Sequence, residues 1–173
     1  MHENSDFESR LALLEQAMLT LQGQKSRDKS PPEVSSEEDA FWALEGLQVR
    51  SPEGGAVLYA GLVELPTGGT VQWQYGIGAK DLFDKDWSEQ ADALAALGHP
   101  VRLKILQAVL SGETTVAQLV EKLDAGTSGQ VYHHLKELTS SGWLAPAKRG
   151  TYEVPPTRVV PLMAILTAIG TPA

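Results

Sequence analysis

The chain has 173 residues, of which 42% are hydrophobic and 21% charged, as in a globular protein of one medium domain or two small ones. No stretch reaches the ~20 apolar residues needed to cross a bilayer, and the acidic N-terminus is unlike a signal peptide, so no membrane partner is expected. The absence of cysteine excludes disulfides and thiolate metal sites and favours a cytoplasmic location.

The net charge of −8 is unevenly distributed along the chain. Residues 1–86 contain 7 Lys and Arg against 15 Asp and Glu, whereas residues 87–173 contain 7 of each. If the neutral C-terminal half binds DNA, it releases few counterions, and its non-specific binding should be weak. Specificity would then depend on base contacts and on the presence of two copies.

Residues 1–22 are predicted to form a pairing helix, because apolar side chains recur at spacings of 4, 3, 4 and 3, the seam of a coiled coil. Its apolar positions are Phe7, Leu11, Leu14, Met18 and Leu21. A parallel pair, an antiparallel pair and a helix that folds back on its own chain are the alternatives; pairing is preferred, with Leu11, Leu14 and Met18 at the interface. Residues 23–36 contain Pro31-Pro32 and no apolar pattern, which indicates a flexible linker.

Residues 37–80 are predicted to form a helix followed by a β-hairpin, an accessory unit. In the second strand Val71, Trp73, Tyr75 and Ile77 alternate with polar or small residues, the pattern of a half-buried strand. A two-stranded hairpin is not stable alone, so we expect it to lie on the helix that contains Phe41. The first strand is apolar on both faces, so its other face needs a further cover: the domain at residues 81–173, a second copy of the chain or a ligand. Four aromatic residues of this unit form either a small core or an apolar pocket for a small organic effector: Trp42, Tyr59, Trp73 and Tyr75.

Residues 81–173 begin with two predicted helices. Asp86 can cap the first, whose apolar stripe includes Trp87 and Leu94. Pro100 suits the first position of the second helix, which ends at Ser111-Gly112.

A pair of short capped helices follows. Thr115-x-x-Gln118 is a capping box that opens a helix with apolar Leu119 and Leu123, and Thr127-x-x-Gln130 opens the next. Two such helices joined by a glycine-containing turn are typical of a helix-turn-helix unit. An ordinary helical hairpin is the alternative.

The second helix of the pair has an apolar face and a polar face. Val131, Leu135 and Leu138 recur at helical spacing and should be buried. The residues predicted to touch DNA from this helix are Thr127, Ser128, Gln130, Tyr132, His133 and Lys136. A hairpin with a basic tip follows, in which Lys148, Arg149 and Tyr152 would form the wing. The complete order favours a winged helix over a helical hairpin.

The segments LAALGHPVRLKILQAVL, TTVAQLVEKL and VYHHLKELTSSGWL resemble the arsenic-repressor (ArsR) family of winged-helix transcription regulators. The resemblance covers residues 87–170, about half the chain, and implies a homodimeric DNA-binding repressor released by a metal or another effector. It assigns reading roles to the polar residues of the second helix and wing roles to Lys148, Arg149 and Tyr152. The missing cysteines depart from the metal-sensing members.

In the resembled family the first and last helices form the dimer interface, and the largely apolar segment Val159–Ile169 agrees with that role. The residues expected at this interface are Trp87, Leu94, Val159, Leu162, Met163 and Leu166.

No cofactor site or catalytic constellation is apparent in the sequence. His133 and His134 are adjacent and point about 100° apart on a helix, so they cannot share a metal ion. The prediction is an α+β, mainly α protein, not an enzyme: a homodimeric repressor that binds double-stranded DNA at an inverted repeat. A small organic effector, if one acts, is assigned to the aromatic unit. The alternative is a winged-helix module for protein–protein contacts.

Overall fold

The computed structural model describes residues 41–123 and 128–170 of the chain, which divides into two compact units, Met1–Gly46 and Leu47–Ala173. The predicted pairing helix and linker, with Leu11, Leu14 and Met18, lie outside the described residues. The architecture is α+β and mainly α, as predicted. Its α-helices are α1 (Trp42–Arg50), α2 (Ala79–Phe83), α3 (Ala91–Leu97), α4 (Pro100–Leu110), α5 (Val116–Leu123), α6 (Ser128–Ser140) and α7 (Pro156–Ile169). The strands are β1 (Ala56–Glu64), β2 (Thr70–Gly78), β3 (Ala145–Pro146) and β4 (Tyr152–Glu153), with 3₁₀ helices at Trp87–Gln90 and Lys148–Gly150.

The core of the second unit is formed by α4, α5 and α6 together with α7 and the end of α3. Ile105 of α4, Leu119 of α5 and Leu135 of α6 are fully buried, as their apolar stripes predict. Complete burial of such a side chain contributes about 1.5–3 kcal/mol, so this layer of aliphatic residues is the main support of the helix-turn-helix unit.

The starts of α4 and α5 are both capped by side chains. The Thr115 N–H donates to Gln118 Oε1 at 3.0 Å, and the Gln118 N–H donates to Thr115 Oγ1 at 3.3 Å, which confirms the predicted capping box. At the start of α4, Val101 N–H donates to His99 Nδ1 at 3.2 Å, and Pro100 occupies the first turn as expected.

The segment predicted as one helix from Trp87 to Leu97 is divided into a 3₁₀ helix, Trp87–Gln90, and α3. Asp86 caps the 3₁₀ helix, because Ser88 N–H donates to its carboxylate at 2.9 Å. Hydrogen bonding from Ser88 also lowers the pKa of Asp86 from its ordinary value.

Strands β1 and β2 form an antiparallel hairpin in which Tyr59 pairs with Tyr75 and Val63 with Val71. Within the second unit this hairpin packs against α7, so the C-terminal domain supplies one of the covers expected for the first strand. The approach is close at Gly61, where an added Cβ would lie 2.7 Å from Val160 Cγ1. The hairpin and the last helix of the winged-helix unit therefore share one packed interface.

Strands β3 and β4 form the predicted wing, and the segment before α5 pairs with it. Thr115 forms an antiparallel bridge with Thr151, and Tyr152 N–H donates to Thr114 O at 2.8 Å.

Among the described residues no single helix has the length and apolar composition to cross a membrane. The bent pair Trp87–Leu97 and Pro100–Leu110, which meets at 77°, passes that test by length and composition alone.

Candidate nucleic-acid interface

Helix α6 has one buried apolar face and one exposed polar face. Val131, Leu135 and Leu138 are at most 1% exposed and pack into the core. The predicted reading residues that the structure describes are all exposed: Ser128, Gln130, Tyr132, His133 and Lys136. Thr127 lies outside the described residues. The exposed face carries hydroxyl, amide, imidazole and ammonium groups, which are the donors and acceptors that contact base edges and phosphates.

The C-terminal end of α6 is fixed by the buried side chain of Trp143. Its Nε1–H donates to Ala93 O of α3 at 2.9 Å, and its backbone N–H donates to Leu138 O at 2.9 Å. Arg158 of α7 lies over the indole ring at 5.2 Å, a cation–π distance. One tryptophan thus joins the exposed helix to α3 and α7. This role of Trp143 carries no signal in the sequence, because its partners are distant in the chain.

The inner edge of α6 carries a group of histidines. The ring centroid of His134 lies 4.6 Å from that of His99 and 5.7 Å from that of His133. Burial is the main cause that lowers the pKa of His134, and the charges of His99, His133 and Arg102 lower it further. Glu137 opposes this shift. His134 is therefore a packing residue of α6, whereas His133 faces outward.

Arg102 connects its own helix, α4, with α3 and with α6. Its Nη2–H donates to Ala95 O at 2.8 Å, and its Nη1 lies 3.9 Å from Glu137 Oε2 of α6. The Arg102 side chain is 15% exposed and that of Glu137 is 43% exposed, so solvent screens this ion pair in part and its contribution to stability is small.

The tip of the wing carries the positively charged side chain of Lys148. Lys148 is exposed in the 3₁₀ turn Lys148–Gly150, and Thr151 Oγ1–H donates to Lys148 O at 2.6 Å. Gly150 has φ +72°, a conformation that favours glycine. Arg149 lies in the same turn. Tyr152, predicted as a wing contact, is instead partly buried against the core, because the chain around β4 pairs on both sides.

The four aromatic residues predicted to line an effector pocket do not form one in the described second unit. Tyr59 and Tyr75 pack with ring centroids 5.9 Å apart, while Trp73 and Tyr75 are exposed on the hairpin. Trp42 belongs to the first unit. A cavity of about 530 Å³ lies elsewhere, between the turn end of β1, α4 and α7, and none of these aromatic residues lines it.

The residues predicted at a dimer interface divide into two groups. Trp87, Leu94 and Leu166 are exposed, and Met163 is half-buried. Val159 and Leu162 are buried in the core of the single chain, which corrects their assignment to the interface. The reason is that the hairpin packs against α7 and that Val159 and Leu162 join the core of the single chain, whereas the sequence showed α7 only as a uniformly apolar helix.

Residues 41–123 and 128–170 contain no group of three His, Asp or Glu side chains arranged to hold a metal ion.

The family described as "Helix-turn-helix domain" matches residues 97–144, from the end of α3 to the segment after α6. Together with the wing, this match supports a winged helix-turn-helix protein, a class of DNA-binding regulators. It does not distinguish the arsenic-repressor family within that class. Comparisons with curated proteins and with solved structures found no match.

Proposed function

We propose that the chain is a sequence-specific transcription regulator of the arsenic-repressor type that binds an inverted repeat as a homodimer and represses transcription. The observation that carries the proposal is the division of α6 into a fully buried apolar face and an exposed polar face. Because many surface helices are amphipathic, the proposal is also supported by the wing that follows α6 and by the helix-turn-helix family match over residues 97–144.

In this proposal α6 enters the major groove. His133 and Ser128 contact base edges, and Lys136 contacts a phosphate. Lys148, with Arg149, approaches the sugar–phosphate backbone from the wing. A symmetric dimer would place its two α6 helices in successive major grooves, ~34 Å apart.

Exposed apolar side chains support the pairing of two copies. Trp87 and Leu94 precede α4, and Leu166 and Ile169 lie in the second half of α7, all of them exposed in the single chain. Contiguous patches of large apolar side chains on a surface often mark sites of association. The proposed interface accordingly uses the 3₁₀ helix, α3 and the C-terminal half of α7.

The test is selection of bound fragments from genomic DNA by the full chain, followed by measurement of affinity against salt concentration. Lys136, Lys148 and Arg149 give six cations per dimer, so log K should fall with log salt with a slope of about −5. Recovery of one inverted-repeat motif with such a slope supports the proposal. A flat slope and no common motif would favour the protein–protein module instead.

A matched pair of variants separates direct contact from a change in overall charge. Lys136→Ala should make the slope shallower by about two for the dimer, because one phosphate in each half-site is no longer neutralised. Lys85→Ala removes an exposed lysine from the segment before α3 and should leave the slope unchanged.

A further inference from the structure

The 530 Å³ cavity between β1, α4 and α7 has the size of a ligand site, since such sites commonly occupy about 300–1,000 Å³. Leu103, Leu106 and Leu110 of α4 line one wall, and Leu162, Met163 and Leu166 of α7 line the opposite wall. None of the side chains around the cavity is aromatic. Such walls suit a flexible hydrocarbon chain. An aromatic ligand would find no aromatic side chain with which to form stacked or edge-to-face contacts.

A polar edge of this cavity runs along α4. Lys104, Gln107 and Ser111 line the 530 Å³ cavity and also a neighbouring one of about 380 Å³. Lys104 takes part in none of the ion pairs found among residues 41–123 and 128–170, and it is exposed. Glu64, at the end of β1, lines the larger cavity but not the smaller one. An anionic group would therefore be attracted to Lys104 and repelled by Glu64.

The second cavity extends the positive region toward the helix-turn-helix unit. It is also lined by Lys122 and Leu123 at the end of α5. Lys122 donates to Glu113 Oε1 at 2.8 Å, which lowers the pKa of that carboxyl and raises the pKa of the lysine. Its charge is thus largely matched within the chain, which leaves Lys104 as the group whose charge a ligand would match.

We propose that the larger cavity binds a medium-chain aliphatic carboxylate. Its hydrocarbon chain lies between the leucines of α4 and Met163, and its carboxylate accepts from Lys104. Because α4 packs on both α5 and α6, occupation of this cavity would also alter the support of the DNA-facing helix. The ligand is then the effector of the regulator, a part of the proposal that rests on the proposed function.

The binding step is tested without DNA. Isothermal titration calorimetry of the full chain with dodecanoate, kept below its micelle concentration, should give saturable binding. Dodecyltrimethylammonium, which has the same chain and the opposite charge, should bind at least tenfold more weakly. Lys104→Glu should weaken dodecanoate binding about tenfold or more, since it removes a charged hydrogen-bond partner. Lys85→Glu, at another exposed lysine, should leave binding unchanged.

A cavity-filling variant tests the position of the hydrocarbon chain. Met163→Trp should abolish binding of dodecanoate, and its thermal unfolding shows whether the chain still folds. If that variant does not fold, the charge variants at Lys104 and Lys85 still decide the proposal. No binding of dodecanoate, or equal binding of both amphiphiles and of all variants, would overturn it.

The regulatory step is tested on a DNA fragment selected by the chain. Dodecanoate should lower the affinity for that fragment at least fivefold with the unmodified chain and should have no effect with Lys104→Glu. DNA binding that dodecanoate leaves unchanged would overturn the effector role while the proposed function stands. Saturable dodecanoate binding by a chain that binds no DNA would overturn the proposed function and retain the ligand site.

Discussion

Gly61 of β1 lies against Val160 of α7 so closely that an alanine Cβ at this position would be 2.7 Å from Val160 Cγ1. Val160 is buried and β-branched, so its side chain has little freedom to move away. Gly61→Ala should therefore destabilise the chain by about 1–3 kcal/mol, the usual cost of overpacking. Urea denaturation gives the free energy of unfolding for the comparison.

Gly76 provides the matched control for this change. It lies in β2 of the same hairpin, and a Cβ there would be 3.4 Å from the flexible end of Leu58. Gly76→Ala should be neutral or should stabilise by up to about 1 kcal/mol, because alanine restricts the unfolded chain. Equal effects of the two substitutions would show that the hairpin does not depend on its packing against α7.

Features that depend on neighbours in the chain were predictable from the sequence. The capping box of Thr115 and Gln118 joins residues three apart, and the buried stripe of Val131, Leu135 and Leu138 follows from helical periodicity. Each of these elements carries its own signal within one or two turns of helix.

Features that depend on distant partners could not be predicted in the same way. The hairpin packs on α7, which lies at the other end of the second unit in sequence, and Gly61 gives no sign of the side chain that it will meet. The pairing of His99 with His134 and the bond from Trp143 to Ala93 have the same character. The aliphatic cavity is lined by residues of three elements that are distant in the chain, so the sequence does not show it. The aromatic residues lie close together in one segment, and for that reason the effector site is predicted there.

The capping box predicts a measurable contribution to stability. Gln118→Ala removes the acceptor for the N–H groups of Thr114 and Thr115 at the start of α5. The free energy of unfolding should fall by about 1 kcal/mol, as for other helix N-terminal caps. Gln118→Glu retains the acceptor and suits the positive end of the helix dipole, so its stability should equal or exceed that of the unmodified chain. If the glutamate variant is as unstable as the alanine variant, the side chain acts by packing and not as a cap.

His134 predicts a loss of stability in mild acid. Its pKa is lowered in the folded chain from an ordinary value of 6.5, by burial and by the charges of His99, His133 and Arg102, with Glu137 opposing. The unfolded chain therefore binds more protons as the pH falls below about 6.5, and stability decreases until the pH is below the folded pKa. At pH 8 both states are neutral at this residue and the penalty is absent.

The measurement is the free energy of unfolding between pH 8 and pH 5 for the unmodified chain and for His134→Gln. Glutamine does not titrate, so the variant should lose less stability over this range, whatever its stability at pH 8. His133→Gln removes one of the smaller causes that lower the pKa of His134, so it should reduce the acid loss of stability only slightly and serves as the comparison. Identical pH profiles for His134→Gln and the unmodified chain would contradict the role of His134.

The proposed DNA contacts predict two different defects. His133→Ala should cost about 1–3 kcal/mol on the selected sequence and relax the preference at one position of each half-site, because no side chain then reads that base edge. Lys148→Ala should weaken binding to all sequences alike and make the salt slope shallower, because one phosphate per half-site keeps its counterions. Gel-shift titrations on the selected sequence and on single-base variants distinguish them. Unaltered binding by both variants would reject the assignment of the interface.

The proposed dimer predicts that one exposed leucine matters and another does not. Leu94 of α3 is 57% exposed and is assigned to the interface, whereas Leu62 of β1 is 69% exposed and is not. Leu94→Asp would bury a carboxylate between two copies, which is unfavourable without a partner charge, so the chain should become monomeric. Leu62→Asp should leave the dimer intact.

Sedimentation velocity at several concentrations measures the oligomeric state of both variants. A monomer should also lose most of its affinity for an inverted repeat, because one particle can no longer hold two half-sites. Dissociation caused by Leu62→Asp but not by Leu94→Asp would move the interface from α3 to the hairpin.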